Sequence, residues 1–425
     1  MNTIISPSLP SGRIEAIPSK SHVHRLLICA ALSSGESRIQ CRTGSEDIDA
    51  TADCLGALCA DIKRKESVFY VDGGKFNPCT EPAGRILRCR ESGSTYRFLF
   101  PIVCALGADC SFLPEGRLPE RPMEPLFSVL EKKGIIIGGK GSSRVSVSGK
   151  LRSGTFSIPG DISSQFISGL IFALPLLDGD SLIEITGSVE SRKYIDITLA
   201  AVRAFGINIY EEKNLFKIPG NQKYVTPGSL AAEGDWSNSA FWLCCGALCG
   251  KEITCTGLST DSLQGDKEIC SILEKFGAGI KISGDEITVI PGRLRGTEID
   301  ASQVPDLVPA IAAVASGAVG QTVIKNAGRL RLKESDRLKA VSQVLSLLGA
   351  DIKETGDGLI INGSERLSGG TADSWGDHRI AMMASIVSVI CDSDVRITGS
   401  QAVNKSYPAF FEDFSSLGAV LHTEQ

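Results

Sequence analysis

At 425 residues the chain is too long for one ordinary hydrophobic core, so two domains of roughly 200 residues each are expected. Its content of 42% hydrophobic and 22% charged residues is that of a globular protein and excludes a disordered or fibrous one. A net charge of -5 excludes a general nucleic-acid binder and requires any anion site to be a local cluster of cations. The opening MNTIISPSLPSGR lacks the basic region and long apolar run of a signal peptide, and apolar stretches such as Ala240 to Gly250 are too short to span a bilayer. A cytoplasmic protein without a membrane partner is expected. The 14 cysteines are scattered through apolar segments with no CxxC pair, which reads as buried free thiols; with only four histidines and no HExxH spacing, no zinc site is expected.

Taken in order, the chain repeats one pattern six times: a polar start, an apolar helix rich in small side chains, a turn and a short strand. The helices read SHVHRLLICAALSSG from Ser21, STYRFLFPIVCALG from Ser94, SSQFISGLIFALPLLDG from Ser163, SNSAFWLCCGALCG from Ser237, VPDLVPAIAAVASG from Val304 and DHRIAMMASIVSVIC from Asp377. The strands that follow read SRIQC, DCSFL, SLIEIT, KEITC, QTVIK and DVRIT, carrying the β-branched residues that strands favour. In the first five copies the closing glycines Gly35, Gly107, Gly179, Gly250 and Gly317 recur about every 70 residues, the mark of a structural repeat. Each copy continues with an amphipathic helix whose stop falls at Cys59, Gly134, Gly206, Gly277, Gly349 or Gly418. Helices that are apolar all round belong in the interior and the amphipathic series outside, giving two domains of three copies around a central bundle. Between copies three and four, KIPGNQKYVTPGSL (217–230) has two prolines and two glycines and reads as a linker.

The starts of the core helices are polar although the helices are apolar. Free N–H groups and the helix dipole make such ends anion sites. Cations gather at the same turns: Lys20 and Arg25, Arg97 and Arg121, Lys333 and Arg337, Arg379 and Lys405. In an acidic chain this recurrence points to a basic pocket for a phosphate or carboxylate.

The stretches PSKSHVHR, SGSTYRF, GRLPERPMEPL, DISSQF, SRKYIDITL, VPDL, RLKESDRL, GDHRIAM and NKSYPAFF, in this order from about residue 13 to the end, resemble the enolpyruvylshikimate-phosphate synthases. That resemblance implies an α/β fold of two inside-out α/β barrel domains, each of three βαβαββ-type repeats. The first domain is expected over 14–228, the second over 1–13 plus 229–425, with hinges near 13–18 and 217–230. The implied reaction moves the enolpyruvyl group of phosphoenolpyruvate to the 5-hydroxyl of shikimate 3-phosphate by addition and elimination, releasing phosphate. The resemblance implies that this reaction needs neither metal nor cofactor and that glyphosate occupies the phosphoenolpyruvate site; a monomer is expected.

Matched position by position, the resemblance implies shikimate-phosphate ligands at Ser21, Arg25, Ser163, Ser164, Gln165, Ser191, Tyr194, Asp306 and Lys333. It implies phosphoenolpyruvate ligands at Lys20, Gly93, Arg121, Gln165, Arg337, Arg379 and Lys405. The chemistry accords: hydroxyls both donate and accept, arginine forks grip carboxylate or phosphate with two bonds, and a glycine lets backbone approach a ligand. Asp306 and Glu334, with Lys20, are the catalytic groups, since one proton must leave the hydroxyl and another reach the methylene carbon. Many relatives have a glycine between the proline and serine where this chain reads Pro18-Ser19, and Glu91, Phe98 and Arg329 stand where many carry asparagine, proline and asparagine. The nearest alternative, a transferase using UDP-N-acetylglucosamine, usually has asparagine after the lysine and a cysteine in its mobile loop; here Ser21 follows Lys20 and EGRLPERP has no cysteine. A non-catalytic repeat scaffold would account for six copies but not for acid, base and cations at the helix starts.

Overall fold

Two helix series alternate along the chain, and burial separates them. In order they are α1 (Lys20–Leu32), α2 (Glu46–Ala57), α3 (Gly93–Leu106), α4 (Leu126–Glu131), α5 (Ser164–Ala173), α6 (Arg192–Ala204), α7 (Trp236–Cys249), α8 (Ile269–Phe276), α9 (Val308–Ser316), α10 (Arg337–Leu347), α11 (His378–Val387) and α12 (Phe410–Ser416). Odd-numbered helices are the apolar series: every residue of α9 and α11 is buried, whereas α6, with apolar residues on one stripe, buries only that stripe. The computed structural model describes residues 1–74 and 84–424. Among these, no helix is long and apolar enough to cross a membrane.

The chain divides into two units, Lys20–Ala232 and Met1–Ser19 with Glu233–Gln425. In the first, α3 packs on α5, while α1 and α5 both pack on α6; in the second, α7, α9 and α11 pack on one another. The crossings lie at 19/20 and 232/233, a few residues beyond 13–18 and 217–230. The stretch 217–230 contributes to strands Leu215–Ile218, Tyr224–Val225 and Ser229–Ala231 of the first unit, and the buried Tyr224 hydroxyl donates to the Phe172 carbonyl at 2.9 Å.

Six four-stranded sheets accompany the helices, three in each unit. Copy three shows the plan: Gly154–Pro159, α5, parallel Ser181–Thr186, α6, then the hairpin Tyr210–Glu212 and Leu215–Ile218. Copies two and five repeat this βαβαββ order. Copies one and four exchange first strands. Gly12–Glu15, which precedes α1, lies parallel to Ile253–Thr256 of copy four, and Ser229–Ala231, which precedes α7, lies parallel to Glu36–Gln40 of copy one. In copy six the N-terminal strand Asn2–Ser6 fills the place between Val395–Thr398 and Val420–Glu424.

All six stops of the amphipathic series are left-handed, from φ 75° at Cys59 to 105° at Gly277. Five are glycines, which adopt this conformation freely. Cys59 adopts it at a cost of roughly 1–2 kcal/mol, and its sulfur accepts from Arg85 Nη1 at 2.9 Å. The cysteines among the described residues are free thiols, with Cys59 and Cys270 half-buried and the rest buried.

Candidate active site

In the unit Lys20–Ala232, the expected residues gather at the starts of α1, α3, α5 and α6. Lys20 opens α1 and donates to Asp47 of α2 at 2.7 Å. One turn on, Arg25 is buried, and its whole fork is held by neutral groups: Nε donates to Thr198 Oγ1 at 2.8 Å, Nη1 to the Ser21 carbonyl at 2.6 Å and Nη2 to the Tyr194 carbonyl at 2.9 Å. The Phe98 ring lies 5.0 Å from its guanidinium carbon. Burial pulls the Arg25 pKa down to about 10, which still leaves it charged at neutral pH. Phe98, a departure from the usual proline, thus backs a cation through its ring face.

A second cluster surrounds Gly93. Ser92 caps α3, its Oγ accepting from Thr95 N at 3.3 Å, and Gly93 is the first helical residue. A Cβ at Gly93 would lie 3.0 Å from Nη1 of both Arg121 and Arg97, so glycine lets two guanidinium groups sit closer to this helix start than they would beside a side chain. Arg97 donates to Gln165 Oε1 at 2.7 Å and to the Pro122 carbonyl at 3.1 Å, and Gln165 Nε2 donates to Ser94 Oγ at 2.9 Å. Ser163 caps α5 through Gln165 N at 3.3 Å, and Ser164 follows, buried. Ser191 precedes α6, buried and in the left-handed region at φ 52°, and makes no cap with its side chain.

In the other unit the expected residues form one charge network centred on Arg337, the first residue of α10. Its Nε donates to Asp377 Oδ2 at 2.7 Å, Nη1 to Asp306 Oδ1 at 2.8 Å and Nη2 to Glu334 Oε2 at 2.6 Å. Lys333 Nζ lies 3.5 Å from Asp306 Oδ1, Arg379 Nη2 lies 3.7 Å from Asp306 Oδ2, and Arg379 Nη1 donates to the Asp306 carbonyl at 3.0 Å. Burial acts to raise the Asp306 pKa, but Lys333, Arg379 and Arg337 prevail and hold it well below the usual carboxylate range. Burial lowers the Lys333 pKa, with Asp306 opposing. Lys405, also buried, ends the 3-10 turn Ser400–Lys405, which packs against α11. An ionised carboxylate beside a second carboxylate and several fixed cations can accept a proton from a hydroxyl, deliver one to carbon, and stabilise a developing anion.

Three groups escaped the sequence reading. Asp47 pairs with Lys20; Asp377 joins Arg337 while also capping α11 through Arg379 N at 3.0 Å; buried Asp266 accepts from Ser237 Oγ near Asp306 and Arg379. Asp377 stands in GDHRIAM, where an aspartate directly before an apolar helix was the available signal.

Six repeats, with serine or aspartate side chains capping four of the core helices, cations gathered at several helix starts and a buried cluster of carboxylates and arginines, define an α/β protein with places suited to anions. The family model for EPSP synthase (3-phosphoshikimate 1-carboxyvinyltransferase) matches residues 6–414. The 3-phosphoshikimate 1-carboxyvinyltransferase of Clostridium kluyveri is 46% identical over 419 residues, covering 97% of this chain and 96% of that one. That of Clostridium perfringens strain SM101 is 45% identical over 427 residues, covering 99% of each. The EPSP synthase structure from Acinetobacter baumannii superposes with a TM-score of 0.82 at 26% identity, covering 100% of both chains. The chain belongs to the EPSP synthase family, and its activity is that of EC 2.5.1.19, a transferase of the shikimate pathway of aromatic amino acid biosynthesis.

Proposed function

We propose that the chain, in the cytoplasm, joins the 5-hydroxyl oxygen of shikimate 3-phosphate to C2 of phosphoenolpyruvate and then expels phosphate. In the addition step Asp306 takes the hydroxyl proton and Glu334 protonates the methylene carbon, with Lys20 as a second proton carrier. In the elimination step the same groups run in reverse: the new methyl group loses a proton, the C2–O bond to phosphate breaks, and the cations stabilise the leaving phosphate. Ser21, Arg25, Ser163, Ser164, Gln165, Ser191, Tyr194, Asp306 and Lys333 hold shikimate 3-phosphate; Lys20, Gly93, Arg121, Gln165, Arg337, Arg379 and Lys405 hold phosphoenolpyruvate.

The observation that carries this reading is Arg337 bridging Asp306 and Glu334 at 2.8 and 2.6 Å, beside Lys333. That contact fixes two carboxylates at one place, as a reaction with two proton transfers requires. Phosphate release should need phosphoenolpyruvate and shikimate 3-phosphate together, and UDP-N-acetylglucosamine should not replace the latter. Asp306→Ala should lower turnover at least about a hundredfold, and Glu334→Gln similarly, without loss of fold. Near wild-type turnover in both variants would overturn the assignment.

A further inference from the structure

Helices α1 and α2 are joined by two parallel rungs. Lys20 of α1 meets Asp47 of α2 at 2.7 Å; four residues further along both helices, His24 Nδ1 meets Thr51 Oγ1, also at 2.7 Å. A spacing of four puts both rungs on one face of each helix. The second rung does not stop at α2. Thr51 Oγ1 lies 2.7 Å from Thr95 Oγ1 of α3, and Thr95 Oγ1 donates to Ser92 Oγ at 2.7 Å. His24, Thr51, Thr95 and Ser92 are all fully buried.

Proton counting gives this chain a direction. A hydroxyl has one proton to donate. Thr95 spends its own on Ser92, so Thr51 must donate to Thr95, and His24 must donate to Thr51 from Nδ1. Burial, then the neighbouring charges of Lys20 and Arg25, push the imidazole well below its ordinary pKa, so the ring carries a single proton. The last acceptor, Ser92 Oγ, also takes Thr95 N and thereby fixes the turn that opens α3 at Gly93. There the Arg97 and Arg121 guanidinium groups stand 3.0 Å from where a Cβ of Gly93 would lie, so the setting of this turn fixes how closely they approach the backbone.

We propose that His24, as its Nδ1–H tautomer, is a positioning residue that acts through Thr51, Thr95 and Ser92 to hold the Gly93 turn in register with the helix that carries Lys20. This rests on the reading of Gly93 and Arg121 as phosphoenolpyruvate ligands. His24 touches no substrate; it sets where an anion-binding backbone stands. A fully satisfied polar chain with one allowed proton order adds directional bonds to the packing and so specifies one relative setting of the three helices.

Two measurements on the full chain test it. In the wild type labelled with 15N-histidine, His24 should show a protonated Nδ1 and an unprotonated Nε2; the opposite tautomer overturns the proposal. Thr51→Val, nearly isosteric, should raise the KM for phosphoenolpyruvate about tenfold, the scale of one buried hydrogen bond lost, while kcat and the KM for shikimate 3-phosphate change less than about twofold. Thr51→Ser should restore the wild-type value. Equal rises for both substrates, no rise, or no rescue by serine would each overturn it. If Thr51→Val does not fold, Thr95→Val and Thr95→Ser give the same comparison beside the tautomer measurement. An unchanged phosphoenolpyruvate KM in Arg121→Ala would remove the ligand assignment itself; an effect there with none in Thr51→Val would remove this inference alone.

Discussion

The two units hold their cations differently. In Lys20–Ala232 the capping groups of α3 and α5 are neutral serines, Ser92 and Ser163, and buried Arg25 is held by a hydroxyl, two carbonyls and a ring. In the other unit the caps of α7 and α11 are aspartates, Asp235 and Asp377, and Arg337 is ringed by three carboxylates. Neutral partners leave a guanidinium's charge and a helix dipole available to an anion, whereas carboxylate partners spend the charge within the protein. In Lys20–Ala232 the buried Arg25 and the serine caps keep their positive character, although Lys20 is paired with Asp47; around Arg337 the charges are balanced against one another and fixed in place.

The most severe way to break this contrast is Arg337→Met, which leaves Asp377, Asp306 and Glu334 facing one another without their common cation. It should cost about 3–5 kcal/mol in urea unfolding and abolish turnover. Arg25→Met, which strands only neutral groups, should cost about 1–3 kcal/mol, and equal losses would erase the distinction.

A second test concerns Asp266. Burial first, then the Asp306 charge, raise its pKa to about 6 against the opposing pull of Arg379 and the Ser237 hydroxyl. A carboxyl whose folded pKa exceeds its unfolded value stabilises fully below about pH 4, and that contribution is lost as pH rises through about 6. Asp266→Asn, which cannot ionise, should therefore match the wild type near pH 4 and exceed it above pH 7, by on the order of 2–3 kcal/mol. No gain at high pH would mean that ionising Asp266 costs no more in the folded chain than in the unfolded one. Asp306, with its lowered pKa, has the opposite sign: its contribution is present above about pH 4 and is lost only as acid takes the pH below that.

The smallest effect belongs to the neutral-capped side. Gly93→Ala should leave the fold intact, because the atoms its methyl meets are the far ends of Arg121 and Arg97. Phosphoenolpyruvate binding should weaken modestly and glyphosate, the longer molecule, by ~1–2 kcal/mol more. Inhibition constants at several phosphoenolpyruvate concentrations decide this: an equal loss for both would show that Gly93 does not discriminate.

Much of this architecture is legible locally. The six apolar helices, their strands and the six left-handed stops are each written in a single short stretch, and Cys59 takes the glycine conformation because the surrounding repeat demands it. Pairings across the chain are not so written. Nothing near Gly12–Glu15 tells that its partner is Ile253–Thr256 rather than the sheet next in sequence, since any strand of that pattern would pair with either. The same holds in the site. Arg337 and Glu334, three residues apart, can be paired from the sequence, but Asp377 lies 40 residues away from Arg337 and Asp47 lies 27 from Lys20. His24 reads as one more polar residue on an apolar helix until Thr51 and Thr95 are seen beside it.

The N-terminal strand brings Asn2 opposite Glu424 and Ser6 opposite Val420. A short loop could therefore join Glu424 to Asn2, and the chain could be reopened between Ala232 and Glu233. Such a permuted chain would make the unit that is now split into one continuous run, ending in Lys20–Ala232. In the natural order the strands Asn2–Ser6 and Gly12–Glu15 leave the ribosome first yet must wait for partners made much later, Gly12–Glu15 until Ile253–Thr256 and Asn2–Ser6 until Val395–Thr398 and Val420–Glu424, while Lys20–Ala232 already has every strand of its three sheets. The inserted unit is the first that synthesis can complete, and the opening residues of the chain are among the last to find their place.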